Sequence, residues 1–139
     1  MAREKALPQP DELSQGFWDG CREHELRLLC CEDCATYVHQ PAAMCHACNS
    51  TRLRWKPVTG AGEVYSWVVV HHAPATGFQD ETPYVVAWIE LFEQPGLRIL
   101  SNVVGCPPAQ VRAGMRVRVE FRDVTDEVSL PVFRPSPAG

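Results

Sequence analysis

The sequence lacks long apolar runs, a surplus of basic residues and the start of a secretory signal peptide. Its 139 residues include 13 Lys and Arg against 17 Asp and Glu, which gives a net charge of −4. No stretch approaches the roughly 18 apolar residues of a membrane-spanning helix, and the polar N-terminus has no signal-peptide pattern. We therefore expect a cytoplasmic protein without a membrane partner. The acidic balance also argues against nucleic acid as a partner.

Recognisable catalytic motifs are also missing. The sequence contains no phosphate-binding glycine loop, no nucleophile elbow and no HExxH pair. His71 or His72 could be imagined as a base beside the thiol of Cys106. Adjacent histidines at a strand end point to opposite faces, however, and Cys106 precedes two prolines, which is typical of a turn. We predict no catalytic residues, and whether the chain is an enzyme on its own stays open.

Cysteine, by contrast, is plentiful and patterned. Cys31, Cys34, Cys45 and Cys48 form two Cys-x-x-Cys pairs separated by ten residues. Each pair can offer two sulfurs to one ion from a tight turn, and Zn²⁺ takes four thiolates in tetrahedral geometry. The spacing predicts a structural Zn²⁺ site without an open coordination position for water or substrate. Such a metal contributes folding energy to a segment that is too small for its own core.

Other uses of the cysteines fit less well. The total of seven is odd, and without a signal peptide there is little reason to expect disulfides. Cys30 could replace Cys31 as a ligand, although only Cys31 has the two-residue gap to Cys34. His39 or His46 could in principle substitute for one sulfur. These alternatives remain open at this stage.

The chain divides into three predicted segments. Residues 1–26 contain a flexible arm followed by short helices. Residues 27–57 have short strand signals around the cysteine pairs and predict a rubredoxin-like zinc ribbon. Residues 58–139 begin at a glycine-rich break and carry the remaining strands. We expect a mainly β protein.

One or two short helices are predicted to start near Asp11. Leu13, Phe17 and Cys21 share one helical stripe, and Trp18 lies beside it. Phe17 and Trp18 either pack on the protein's own core or offer an apolar surface to another subunit.

Five strand-like runs follow the glycine break without a helical period between them. Their sequences are EVYSWVVVHH, PYVVAWIEL, LRILSNVV, RVRVEF and VSLPVF. Apolar and polar residues alternate with period two in the second and fourth runs, as expected of strands with one buried face. Five short strands with Gly and Pro turns predict a closed OB-fold barrel, and closure removes the edges that would template aggregation.

The first two barrel strands are apolar on both faces, so an apolar face remains after the interior is filled. The ribbon and helices could cover that face, or a partner or ligand could bind it. Trp67 and Trp88 are the aromatic candidates on these strands. Phe78 is the apolar tip of the loop that joins them. Together with Phe17 and Trp18, they are the predicted partner-binding residues.

The order of these features resembles the acyl-CoA-associated zinc-ribbon and OB-fold proteins, first catalogued as domain-of-unknown-function family thirty-five. The resemblance spans nearly the whole chain. It departs from the family pattern at Ala35, where a glycine often follows the second cysteine, and in the extra thiol of Cys30. The motifs that carry it are FWDGCREHELRL, CEDC, CHAC, RWKPVTGAGEVYSWVVVH, PYVVAWIEL, AGMRVRVEF and PVFRP.

Proteins of this family usually work beside thiolase-superfamily enzymes, such as thiolases, acyltransferases and steroid side-chain aldolases. The resemblance implies a noncatalytic zinc-binding subunit in lipid or steroid metabolism. It would stabilise a thiolase-like partner and help shape its acyl-CoA site, in a heterotetramer with two copies of each chain. Zn²⁺ is the implied cofactor, and acyl-CoA is a ligand shared with the partner. The CoA-contacting residues are not identified by the resemblance.

Two other functions remain open. One is a module that binds single-stranded nucleic acid, with Trp67, Tyr84 and Trp88 as stacking platforms. The other is a stand-alone acyl-CoA-binding protein or hydrolase. Salt-sensitive binding to an oligonucleotide would favour the first, and turnover by the purified chain would favour the hydrolase.

Overall fold

A helix, a small antiparallel sheet and a closed barrel follow one another along the chain. The computed structural model describes residues 11–71 and 83–136. The elements are helix α1 (Gln15–Arg22), strands β1 (Arg27–Cys31), β2 (Tyr37–Val38), β3 (Leu53–Pro57), β4 (Ala61–Val70), β5 (Tyr84–Leu91) and β6 (Arg98–Val103), a 3₁₀ turn (Pro108–Gln110), and strands β7 (Arg116–Asp123) and β8 (Ser129–Pro135). None of the helices in the described ranges is long and apolar enough to cross a membrane.

The second half of the chain forms a closed barrel with the strand order β4-β5-β6-β8-β7. All its neighbouring pairs are antiparallel except β6 and β8, which meet in parallel at Val103 and Phe133. The predicted alternation holds in β5, where each inward-facing residue is at most 1% exposed (Val85, Ala87, Ile89 and Leu91). These observations confirm the mainly β class and the five-stranded OB-fold barrel.

Strand β4 contains a β-bulge that the alternating pattern did not reveal. The pairing with β5 shifts between Val64 and Ser66, so that Tyr65 is the extra residue. Strict alternation along this strand would place Tyr65 and Trp67 on one face, and the register shows that they lie on opposite faces. Trp67 pairs with Ala87, which is buried in the barrel, and therefore lies on the inner side of the sheet.

Helix α1 packs its Phe17 and Cys21 side chains into the same core as the barrel. One α-helix lies in the described part of the chain, within the predicted range of one or two. Leu13 precedes the helix in a turn and is 46% exposed, so its predicted place on the buried stripe is wrong. The helix requires glycine at position 16, because a Cβ atom on Gly16 would lie 2.2 Å from the ring of Trp55.

The three-stranded sheet has its own small core beside the cysteines. Its strand order is β2-β1-β3. The buried members of this core are Leu29, Cys31, Val38 and Cys45. Two of these four residues are cysteines, so apolar burial alone contributes little to the stability of this sheet. A further stabilising interaction is needed.

The sheet is joined to the barrel through polar and apolar contacts. The Tyr37 backbone N–H donates a hydrogen bond of 2.8 Å to Gln94 Oε1, and Gln94 Nε2 donates one of 3.2 Å to the Tyr37 carbonyl. Leu26 and Leu28 join the barrel core. Strand β1 therefore contributes to both cores.

Candidate functional site

The four predicted metal ligands converge on one point. Cys31 ends β1, Cys34 lies in the turn after it, and Cys45 and Cys48 lie between β2 and β3. All four Sγ atoms lie within 4.8 Å of one another. The Cys31–Cys48 and Cys34–Cys45 sulfur pairs are each 3.6 Å apart. A tetrahedral Zn²⁺ with Zn–S bonds of about 2.3 Å separates its sulfurs by about 3.8 Å, so these residues fit such an ion.

The two cysteine turns have the same backbone geometry. The Ala35 N–H donates to the Cys31 carbonyl and the Asn49 N–H donates to the Cys45 carbonyl, each at 2.9 Å. Ala35 and Asn49 occupy equivalent positions and have positive φ angles of 62° and 63°. Asn adopts this left-handed region more readily than most residues, whereas Ala is strained in it. The position of Ala35 therefore explains why glycine is often found there in the family it resembles.

Hydrogen bonding distinguishes the thiols of the cluster. The Thr36 hydroxyl and backbone N–H lower the pKa of the exposed Cys34 thiol to about 6, with the Thr36 Oγ1 atom 3.2 Å from its sulfur. The Ser50 backbone N–H lowers the pKa of Cys48, but the neighbouring Cys34 and Cys31 sulfurs outweigh it and raise that pKa to about 12. Cys34 therefore loses its proton more readily than Cys48, and a bound cation would favour the thiolate form of its ligands.

The alternative ligands lie apart from this cluster. Among the described residues, the four cysteines are the one group of three or more His, Cys, Asp or Glu side chains placed to share an ion. Cys30 is buried, and its sulfur lies 3.9 Å from the Cys31 carbonyl oxygen. The His39 ring packs beside Phe17 with 5.7 Å between ring centroids. His46 is exposed between the second pair of cysteines.

A groove of about 300 Å³ lies where α1, the chain after β2, β6 and the start of β8 meet. Phe17, Trp18 and Leu100 form part of its apolar wall, and His39 and Asn102 also line it. Burial lowers the pKa of His39 to about 4, so its ring is neutral near pH 7. Its Nδ1 atom is buried without a hydrogen-bond partner in the described part of the chain.

The predicted partner-binding residues fall in different environments. Phe17 is 7% exposed in the core, and Trp18 is partly buried against the same core. Trp67 and Trp88 are 36% and 40% exposed, on opposite sides of the sheet. Phe78 lies outside the described residues. Phe17 and Trp18 therefore contact each other, with 4.8 Å between ring centroids, whereas Trp67 and Trp88 do not share a surface.

This arrangement also bears on the nucleic-acid alternative. Trp67 and Trp88 cannot form one stacking platform, because the bulge in β4 places them on opposite sides of the sheet. The net charge of −4 provides no general attraction to phosphate. Neither observation favours a nucleic-acid function.

The imagined thiol and base are not joined in the structure. His71 is exposed after β4, and Cys106 is partly buried before the 3₁₀ turn. No hydrogen bond connects them within ranges 11–71 and 83–136. His72 lies outside the described residues.

Sequence reasoning missed several exposed apolar residues on the barrel. Tyr65, Val68 and Leu100 are each at least half exposed. The signal for Leu100 was available, because burial of Ile99 on the inner side of β6 implies that the next residue faces outward. The signal for Tyr65 was hidden by the bulge.

Comparisons with known proteins agree with this architecture. A family model described as "ChsH2, C-terminal OB-fold domain" matches residues 55–122. A probable enoyl-CoA hydratase alpha subunit of Thermomonospora curvata is 38% identical over 135 residues, which make up 95% of this chain and 41% of that protein. The chain thus spans about two fifths of that relative's length.

Two further similarities extend over most of both proteins. A DUF35 domain-containing scaffold protein of Methanocaldococcus jannaschii is 37% identical over 98 residues, covering 70% of this chain and 67% of that one. One chain of the solved Ltp2-ChsH2(DUF35) aldolase superposes with a TM-score of 0.83 at 35% identity, covering 92% of this chain and 98% of that chain. Given its barrel, its cysteine cluster and these relatives, the chain belongs to the DUF35 family of OB-fold proteins.

Proposed function

We propose that this chain is a noncatalytic zinc-binding subunit that associates with a thiolase-like enzyme acting on acyl-CoA. One observation carries the proposal: the similarity to a chain of the Ltp2-ChsH2(DUF35) aldolase covers nearly all of both chains. A molecule of the same size and fold is well suited to the same kind of role. In this role the partner holds the catalytic residues, and this chain stabilises it and flanks its acyl-CoA site.

The cysteine cluster would hold the Zn²⁺ ion through the sulfurs of Cys31, Cys34, Cys45 and Cys48. Four protein ligands leave no coordination position for water or substrate, so the metal would tie two turns together without entering a reaction. The small core of the three-stranded sheet supports this role, because half of its buried members are ligands themselves. The cluster would thereby hold the sheet in a fixed shape against the barrel.

The chemistry of the described residues supports a partner-dependent role. Cys21 is fully buried, and burial raises the pKa of its thiol to about 12, which makes it a poor nucleophile near pH 7. The Nδ1 atom of the neutral His39 imidazole is buried without a hydrogen-bond partner in the described ranges, so no nucleophile is bound to that atom. Cys34 has a low pKa but belongs to the proposed metal cluster.

Co-expression tests the association. The chain is produced together with a thiolase-like protein of the same organism, purified through a tag on either chain, and examined by size-exclusion chromatography with light scattering. We expect a stoichiometric complex with two copies of each chain, and acyl-CoA turnover by the complex but none by this chain alone. Recovery of this chain only as a free monomer, or turnover without a partner, would overturn the proposal.

Replacement of single cysteines tests the metal site. Cys31→Ser removes one ligand, whereas Cys30→Ser removes a neighbouring buried thiol that lies outside the cluster. Elemental analysis should find one zinc per chain in the natural sequence and in Cys30→Ser, and substantially less in Cys31→Ser. Equal zinc content in both variants would refute the assignment.

A hydratase is a second candidate for the partner. The observation that favours it is the similarity of 95% of this chain to part of a probable enoyl-CoA hydratase alpha subunit. Assays of the purified complex separate the two candidates. Carbon–carbon bond cleavage of a hydroxyacyl-CoA would indicate an aldolase, and addition of water to an enoyl-CoA would indicate a hydratase.

A further inference from the structure

We propose that the outer face of β4, β5 and β6, together with the adjoining groove, is the surface on which the thiolase-like partner docks. This inference rests on the function proposed above. The apolar sheet face is defined by Tyr65, Val68, Val86, Trp88 and Leu100. Of the residues that the sequence suggested, the sheet face retains Trp88 and lacks the inward-facing Trp67, whereas Phe17 and Trp18 line the adjoining groove.

The residues of the apolar sheet face are direct neighbours across the strands. Trp88 on β5 pairs with Leu100 on β6, and Val68 on β4 pairs with Val86 on β5. Tyr65 joins them through the bulge. Its ring lies 3.7 Å from the guanidinium carbon of Arg98, on the outer side of β6. The apolar side chains therefore form one continuous patch across three strands.

The exposure of this patch is unusual for the outer side of an antiparallel barrel, which normally carries polar residues. Tyr65 is 53% exposed, Val68 61%, Trp88 40% and Leu100 50%. Large aromatic side chains have about 150–250 Å² of surface each, so the patch offers on the order of 300–400 Å² of apolar area. A standard interface buries about 800 Å² per partner. The patch thus fits the apolar centre of an interface that extends beyond it.

The Arg98 charge at the edge of the patch is already paired within the chain. Arg98 Nε lies 3.2 Å from Glu90 Oε1, and the same guanidinium group lies over the Tyr65 ring. A partner therefore needs no charge opposite Arg98. The complementary surface on the partner should be apolar and uncharged at its centre, because an unpaired charge buried there would be strongly unfavourable.

The groove and the apolar sheet face adjoin each other. Leu100 belongs to the apolar sheet face and also lines the groove, so the two surfaces are continuous. The similar chain of known structure belongs to an aldolase named for two components, Ltp2 and ChsH2, which favours a different protein over a second copy of this chain as the occupant. We therefore assign the surface to the heterologous enzyme partner.

Charge insertion on the face provides the test. Val68→Asp and Leu100→Asp alter side chains that are at least half exposed, so both variants should fold. Phe92→Asp is the matched control, because Phe92 is 52% exposed but lies next to Arg116 of β7. Circular dichroism and zinc content establish that each variant is folded. The uncharged variant Leu100→Ser serves if an aspartate variant unfolds.

Each variant is titrated into the purified thiolase-like partner, and the dissociation constant of the complex is measured. We expect the dissociation constant to rise at least tenfold for Val68→Asp and Leu100→Asp, severalfold for Leu100→Ser, and less than twofold for Phe92→Asp. If the natural sequence binds the partner and the face variants bind equally well, this inference is overturned and the proposed function stands. Absence of any complex with the natural sequence would overturn both.

Discussion

At the residue scale, the backbone of Ala35 shows how one position shapes the metal cluster. Its φ angle of 62° allows the Ala35 N–H to bond to the Cys31 carbonyl and close the first cysteine turn. The second turn uses Asn49 at the equivalent position. Because Ala has a Cβ atom and no side-chain polar group, it gains nothing from the left-handed region.

Replacement of Ala35 by glycine should therefore stabilise the protein. Relief of the left-handed strain outweighs the extra chain entropy of glycine, and we expect Ala35→Gly to raise the free energy of unfolding by about 0.5–1 kcal/mol. Urea unfolding of the zinc-saturated protein measures the change. Ala47→Gly is the control, because Ala47 has a negative φ angle, and it should be neutral or destabilising. Lower stability of Ala35→Gly would show that the turn is not strained.

His39 should make stability depend on pH on the acidic side. Burial lowers its pKa in the folded protein from 6.5 to about 4. The unfolded chain therefore binds more protons between these values, and stability is lost as the pH falls from about 6.5 to 4. His39→Phe should remove this contribution. The free energy of unfolding of the variant minus that of the natural sequence should therefore be up to about 2–3 kcal/mol larger at pH 4.5 than at pH 7.5.

Chemical unfolding at several pH values checks this prediction. Any loss of bound metal in acid would affect both proteins alike, so the informative quantity is the difference between their free energies of unfolding at each pH. His71→Gln is the matched control, because His71 is exposed. A difference that stays constant from pH 7.5 to 4.5 would show that His39 is not protonated on unfolding.

At the scale of the elements, regular alternation made the barrel predictable. Val85, Ala87, Ile89 and Leu91 follow a strict period of two, and the structure buries all of them. The cysteine spacing likewise predicted which four sulfurs meet. Both patterns are local, so they can be seen in the sequence.

Features that depend on the register between strands were not predictable. The bulge at Tyr65 arises from how β4 pairs with β5, and no local signal marks it. Glycine has a low helix propensity, yet Gly16 lies in α1, where it provides room for the Trp55 ring of a distant strand. Tertiary packing overrides helix propensity at this position. The groove was not predicted either, because four segments that are separate in the sequence form it.

Removal of zinc should loosen the ribbon before the barrel. The small core of the three-stranded sheet consists of Leu29, Cys31, Val38 and Cys45, whereas the barrel core is much larger. Hydrogen exchange after chelation should show loss of protection across residues 31–53, with β5 and β7 still protected. Re-addition of Zn²⁺ should restore it. Simultaneous loss of protection in the barrel would show that the metal supports the whole fold.

At the scale of the whole molecule, the two cores and the outer apolar surface are compatible with the subunit role proposed above. Leu26 and Leu28 tie the ribbon to the barrel, so the cysteine cluster holds one end of a continuous body. The exposed apolar side chains of the barrel wall form the surface that we propose for binding a partner. Family membership indicates that relatives with this architecture occur in aldolase and hydratase assemblies.

Reconstitution of activity tests the central claim most directly. The thiolase-like partner is held at fixed concentration, and its acyl-CoA turnover is measured as this chain is added. We predict a rate that rises and saturates at one chain per partner chain, with no turnover by this chain alone. A rate that is independent of added chain, or turnover in the absence of the partner, would contradict the account.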